Sequence, residues 1–335
     1  MLPAPFIYYP PYLLRHKRNS VVLFAHVFKV CVRFAFSLRI KASKVWGMKA
    51  NKTLQTVLLC STLLAGSGCS IVVKRVGNSF SGSLNAAVMN HDDLELVRGG
   101  APSYMLLMDS ILSRKPSDPA AYSAAANLYS AYAGVFVQDQ ARALRLSDRA
   151  FDYAQTGLCL DVKTLCNVDD LNFEDFEAGM KSVKKADLAT LYTTATVWAG
   201  WVQLRKDDWG AIAHLAKITV MMEKVVEIDP AYEDGKAQMY MGVLESLVPP
   251  AAGGDLEKAK MHFENADEMS DGKNLFVKVL LAENYARMMF EQELHDTLLK
   301  DVLKADPHAE GYTLMNVVAQ QRAKELLETS DEYFN

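Results

Sequence analysis

Beyond a polar tract near Gly77 to Gly82, apolar residues recur at three- and four-residue steps almost to the end of the chain, and no run alternates as a half-buried strand would. From Ala186 to Leu204, Leu188, Leu191, Tyr192, Ala195, Val197, Trp198, Trp201 and Val202 make an apolar face wide enough to pack on two neighbours. Ala, Leu, Met, Glu and Lys fill these segments, and all are good helix formers. The pattern predicts an all-α fold.

The punctuation repeats. Asp118-Pro119-Ala120, Asp229-Pro230-Ala231 and Asp306-Pro307-His308-Ala309 each follow an apolar helical stretch. Proline at a first helical position has no needed amide to lose, and the preceding Asp can cap the new helix, so each is expected to be a helix-to-helix junction. Their separations of 111 and 77 residues suit about three and two units of a ~34-residue helix-turn-helix repeat with short insertions. The clearest unit begins near Gly235. Met241 and Gly242 occupy the Leu-Gly place of the tetratricopeptide pattern, and Ala259, Phe263 and Ala266 give the small, aromatic, small spacing of its second helix. Around Pro249, Pro250 and Gly253 the connection is five residues longer than the pattern, and Asp271 replaces its usual proline.

Helices are expected near 101–115, 119–137, 139–157, 186–205, 209–228, 231–247, 255–269, 275–290, 291–304 and 308–328. Stacked as five antiparallel pairs they form a tetratricopeptide-like helical-hairpin superhelix, an α-solenoid, over residues 91–330. The acidic stretch from Asp161 to Lys185 interrupts the second pair and is expected to be a loop with one short helix.

The chain before this array has another character. From Met48 it reads as a short positive start, an apolar stretch from Leu54 to Ala65, then Gly66, Ser67, Gly68 and Cys69. The apolar run is too short for a ~30 Å hydrocarbon layer, and the order is that of a secretory signal. The small residues before Cys69 resemble a lipobox, although Gly66 stands where Leu is usual. Residues 48–68 are therefore expected to be a lipoprotein signal peptide, Cys69 the lipidated residue, and 69–90 a tether. Ser70, rather than Asp, after the cysteine favours the outer membrane, and two acyl chains suffice for stable anchoring. Residues 1–47 read as sequence upstream of a true start at Met48, or as a disordered leader. A membrane segment from Val21 to Leu38 would bury Lys29 and Arg33, each costly at that depth.

Charge divides at the same place. Residues 1–68 hold ten Lys/Arg and no Asp or Glu, which leaves 26 basic against 40 acidic residues beyond them. So acidic a domain repels phosphate backbones, and no nucleic-acid partner is expected. Of five cysteines, only Cys159 and Cys166 remain in the folded part. Either they join as a disulfide, as an oxidising compartment allows, or they stand as two buried thiols on one helix face.

No catalytic, metal or phosphate signature emerges. His91, His214, His262, His295 and His308 lack His-Glu-x-x-His or Cys-x-x-Cys partners, so no metal ligation is expected. Gly99-Gly100 and Gly253-Gly254 lack a preceding strand and read as turns. Neither a cofactor nor an enzymatic activity is expected. The surplus is aromatic: Tyr122, Tyr129, Tyr132 and Phe136 follow one helix, and Tyr192, Trp198 and Trp201 another. Core packing accounts for such rings. The sharper alternative is that Tyr129, Tyr132, Phe136, Tyr192, Trp198 and Trp201 line a groove or pore for an apolar ligand.

The run Gly253-Gly254-Asp255-Leu256-Glu257-Lys258-Ala259-Lys260-Met261-His262-Phe263-Glu264-Asn265-Ala266 resembles the T-component (TatT) lipoproteins of tripartite ATP-independent periplasmic (TRAP) transporters. The likeness extends to Leu128-Tyr129, Tyr132, Val225-Val226-Glu227-Ile228-Asp229-Pro230, Gly235, Asn316 to Leu327 and Phe334. It implies a periplasmic protein of tetratricopeptide-like hairpins that forms a homotrimer with a central pore, engages a TRAP periplasmic solute-binding protein and serves a small hydrophobic ligand. It brings no catalytic residues. A generic tetratricopeptide scaffold in a cell-envelope assembly is the alternative function.

Overall fold

The computed structural model describes residues 86–247 and 254–335. The expectations for the leader, the signal peptide, Cys69 and the Pro249-Pro250-Gly253 connection lie outside these residues. The described residues belong to one compact unit, and among them there is no strand. The chain is all-α, as the periodicity requires.

Among the described residues, thirteen α-helices follow in order from Leu94 on. They are α1 Leu94–Arg114, α2 Pro119–Phe136, α3 Gln140–Asp161, α4 Phe173–Met180, α5 Leu188–Gln203, α6 Trp209–Ile212 and α7 Leu215–Ile228. Then come α8 Lys236–Leu247, α9 Leu256–Met269, α10 Leu275–Leu281, α11 Gln292–Lys304, α12 Thr313–Glu328 and α13 Ser330–Phe334. Side-chain caps start many of them. Asp93, Asp118, Asp139, Asn172, Asp208 and Asp255 each accept backbone amides of the following first turn, which satisfies donors no helix can pair internally.

The most extensive packing joins α2 to α3 and α8 to α9, so the hairpins run α2–α3, α5–α7, α8–α9 and α10–α11, with α1 against α2 and α12 against α10 and α11. One large core spans α1 to α8, and a second joins Leu275 and Val279 of α10, Leu299 and Val302 of α11, and Ala319, Ala323 and Leu326 of α12. Between α8 and α9, a Cβ on Gly242 would stand 2.8 Å from the Phe263 ring. The missing side chain is what admits the aromatic, and Ala259 and Ala266 on either side of it are buried.

Several boundaries differ from expectation. α1 begins at Leu94 and runs through Gly99-Gly100 and Pro102, because Asp93 caps it and Val97, Met105, Met108 and Leu112 bury one face. Only the first Asp-Pro step places Pro at the start of a helix. Asp229 instead ends α7, and the chain turns through Glu233, Asp234 and Gly235, all at positive φ, before α8 starts at Lys236. Asp306 likewise lies in a loop, accepting the His308 amide, and α12 starts only at Thr313. The stretch near 209–228 divides into α6 and α7, and that near 275–290 passes from α10 into a π-helical turn, Ala282–Ala286.

Candidate functional site

The six aromatics singled out from sequence fall into separate settings. Tyr129 is buried and donates its hydroxyl to Asp109 of α1 at 2.8 Å, while Tyr153 of α3 donates to the other oxygen at 2.8 Å. One carboxylate thus ties the first three helices, with the Arg149 guanidinium 3.4 Å away. Burial and the hydrogen bond to Asp109 push both phenols above their ordinary range. Tyr132 is buried beside the half-buried Phe136, with Arg142 over its ring.

On α5, Trp198 is fully buried, stacked on Phe151 at 5.1 Å and against His214 at 5.0 Å. Trp201 is partly exposed. Its indole N–H donates to Asp148 at 2.8 Å, and Arg205, itself bonded to Asp148, lies 4.1 Å over the ring. These two tryptophans share Phe151 and His214 as neighbours. Tyr192, on the same helix, faces elsewhere and meets Tyr232 and Tyr240. Phe136, Tyr192 and Trp201 therefore keep accessible surface, whereas Tyr129, Tyr132 and Trp198 lie in the core.

The stretch between α3 and α5 folds as a 3-10 turn at Lys163–Leu165, the short helix α4 and a second 3-10 turn at Lys185–Asp187. Leu165, Val168, Phe176, Met180 and Val183 insert into the main core. Cys159 and Cys166 are joined in a disulfide at its base. Lys217 of α7, only 9% exposed, holds it from the other side. Its ammonium donates to the carbonyls of Val168 at 3.0 Å, Asp169 at 2.8 Å and Leu171 at 2.6 Å. Beside the disulfide a cleft of about 410 Å³ is lined by Asp152, Gln155, Thr156, Cys159, Leu160 and Asn167. Burial, then Asp148 and Asp169, raise the Asp152 carboxyl above its usual range.

Sequence reasoning missed Asp109, Tyr153, Lys217, Tyr232 and Tyr240, whose partners sit on other elements. Among the described residues no group of three or more His, Cys, Asp or Glu is placed to hold a metal ion, and no helix is long and apolar enough to cross a membrane.

Consecutive hairpins tied to one another by contacts such as those of Asp109 with Tyr129 and Tyr153, with some aromatic rings left partly accessible, define an all-α hairpin scaffold. The family comparison is more particular: the TRAP transporter T-component family matches residues 90–334, and the chain belongs to it. It is also similar to an uncharacterized protein of Treponema pallidum (strain Nichols), 21% identical over 261 residues that cover 72% of this chain and 81% of that protein. Membership places the chain among the components of TRAP transport systems.

Proposed function

We propose that this protein is a lipid-anchored accessory of a TRAP system, held through Cys69 at the periplasmic face of the outer membrane. There it docks a periplasmic solute-binding protein and receives a small apolar ligand by binding rather than by catalysis. The observation that carries this reading is the family match, which runs from the start of α1 to the end of α13 and so takes in the complete set of hairpins. The leader pattern before Cys69 supports the anchor, and a homotrimer is the assembly proposed with it. The Cys159–Cys166 bridge suits an oxidising compartment. Native mass spectrometry of the acylated protein with the solute-binding subunit of its own system tests the docking. A stable complex is the expected result, and its absence with both proteins folded would overturn the reading.

A further inference from the structure

The cleft beside the Cys159–Cys166 bridge has a simple origin in the sequence. Asp152, Gln155, Thr156, Cys159 and Leu160 stand at i, i+3, i+4, i+7 and i+8, which places them on one face of α3. Past the end of α3 the bridge and a 3-10 turn bring the chain back to that face. Asn167, held at a positive φ of 52°, is the lining residue this return supplies. The volume is about 410 Å³, within the range of ~300–1,000 Å³ typical of clefts that take small molecules.

Its polar groups are unengaged. Among the described residues the Asp152 carboxylate and the side-chain amides of Gln155 and Asn167 take part in no hydrogen bond, and Asp152 in no ion pair. The other carboxylates within α3 have partners. Asp148 holds the Trp201 indole and Arg205, and Asp161 accepts the Thr190 hydroxyl. Arg149, whose charge also acts on Asp152, is 3.4 Å from Asp109 and lies over the Tyr129 ring. Asp152 keeps surface open to solvent, yet burial, then Asp148 and Asp169, disfavour its charged form. A carboxylate partly drawn from water with no donor beside it is destabilised, and an arriving cation offsets that loss.

We propose that this cleft binds a small organic amine in its protonated form, with Asp152 as the countercharge, the amides of Gln155 and Asn167 as hydrogen-bonding partners and Leu160 against the carbon chain. An anionic ligand would meet Asp152 with Asp148 and Asp169 behind it. An uncharged one would reach the amides but leave the carboxylate without a partner. The site is separate from the docking and apolar-ligand reading above, and neither depends on the other.

The test titrates the full chain with putrescine and with its uncharged counterpart butane-1,4-diol, read by calorimetry and by the side-chain amide signals of Gln155 and Asn167 in isotope-labelled protein. Putrescine is expected to bind at least about tenfold more tightly than the diol, the equivalent of about 1.4 kcal/mol, and to shift both amide signals. Asp152→Asn should weaken putrescine at least about tenfold, and its melting temperature shows whether the fold is kept. Asn167→Gly suits the positive φ while removing the amide, and should weaken binding several-fold. Equal binding of the two probes, binding unaltered in Asp152→Asn, or no binding of putrescine to the wild type overturns the site.

Discussion

At Gly242 the space a methyl group would need is taken by Cδ1, Cε1 and Cζ of Phe263, all within 2.9 Å. Overpacking a filled interior forces a rotamer change or a backbone shift. Gly242→Ala should therefore lower unfolding free energy by roughly 1–3 kcal/mol, read as a fall in the urea midpoint. Gly99 is the contrast, a helical glycine with nothing within 4 Å of its would-be Cβ. Gly99→Ala should raise stability by up to about 1 kcal/mol, and equal effects at the two sites would refute the argument. The Gly242–Phe263 contact was legible in the sequence because its spacing is that of a repeat unit, and helical period alone sets which faces meet. The tyrosine group was not, since Tyr232 and Tyr240 reach Tyr192 only after the turn at Glu233, Asp234 and Gly235 brings α8 round. Trp198 shows the reverse case. Its period marks it as apolar-facing, but only packing decides that it is enclosed by Phe151 and His214.

Among the elements, the connection from α3 to α5 depends most on a distant residue. Lys217 gives three hydrogen bonds to its carbonyls, and burial lowers the Lys217 ammonium below its ordinary range. Hydrogen bonds to a charged group are each worth about 1.5–3 kcal/mol, and orphaned buried acceptors cost more than the mean bond. Lys217→Met keeps the apolar stem and removes the donors. It is expected to cost about 2 kcal/mol or more and to speed amide exchange selectively in residues 162–187, and unchanged exchange there would refute the anchoring role. The sequence told that this stretch holds one short helix, which polarity and length reveal. It did not tell that a lysine 46 to 49 residues away secures it. The Asp-Pro steps carry a similar lesson. Proline fixes φ in a loop as readily as at a helix start, so only Asp118-Pro119, followed at once by a buried apolar face, opens a helix.

Over the whole described molecule, the first residues meet the last connection. The Gly311 amide donates to Asn90 at 2.7 Å, and His308 lies between Asp306, 2.6 Å from Nδ1, and Asp92, 3.5 Å from Nε2, with His91 on the far side of Asp92. Hydrogen bonds to Asp306 and Asp92 raise the His308 imidazole above its ordinary 6.5, while the His308 amide and ring hold Asp306 below its ordinary value. A histidine raised on folding contributes fully below its unfolded value and loses that contribution as pH climbs through the raised one. Wild type should thus melt above His308→Ala at about pH 5.5, with the gap closing by about pH 8.5. A gap that widens with pH would show the sign to be wrong. Helical periodicity sets each hairpin but carries no information on how far a row of them curls, and so this meeting of beginning and end was not readable from the chain.

That junction lies in the path of any force applied at residue 90. A pull delivered through residue 90 would load the Asn90–Gly311 hydrogen bond ahead of α12 as well as the packing of α1 on α2.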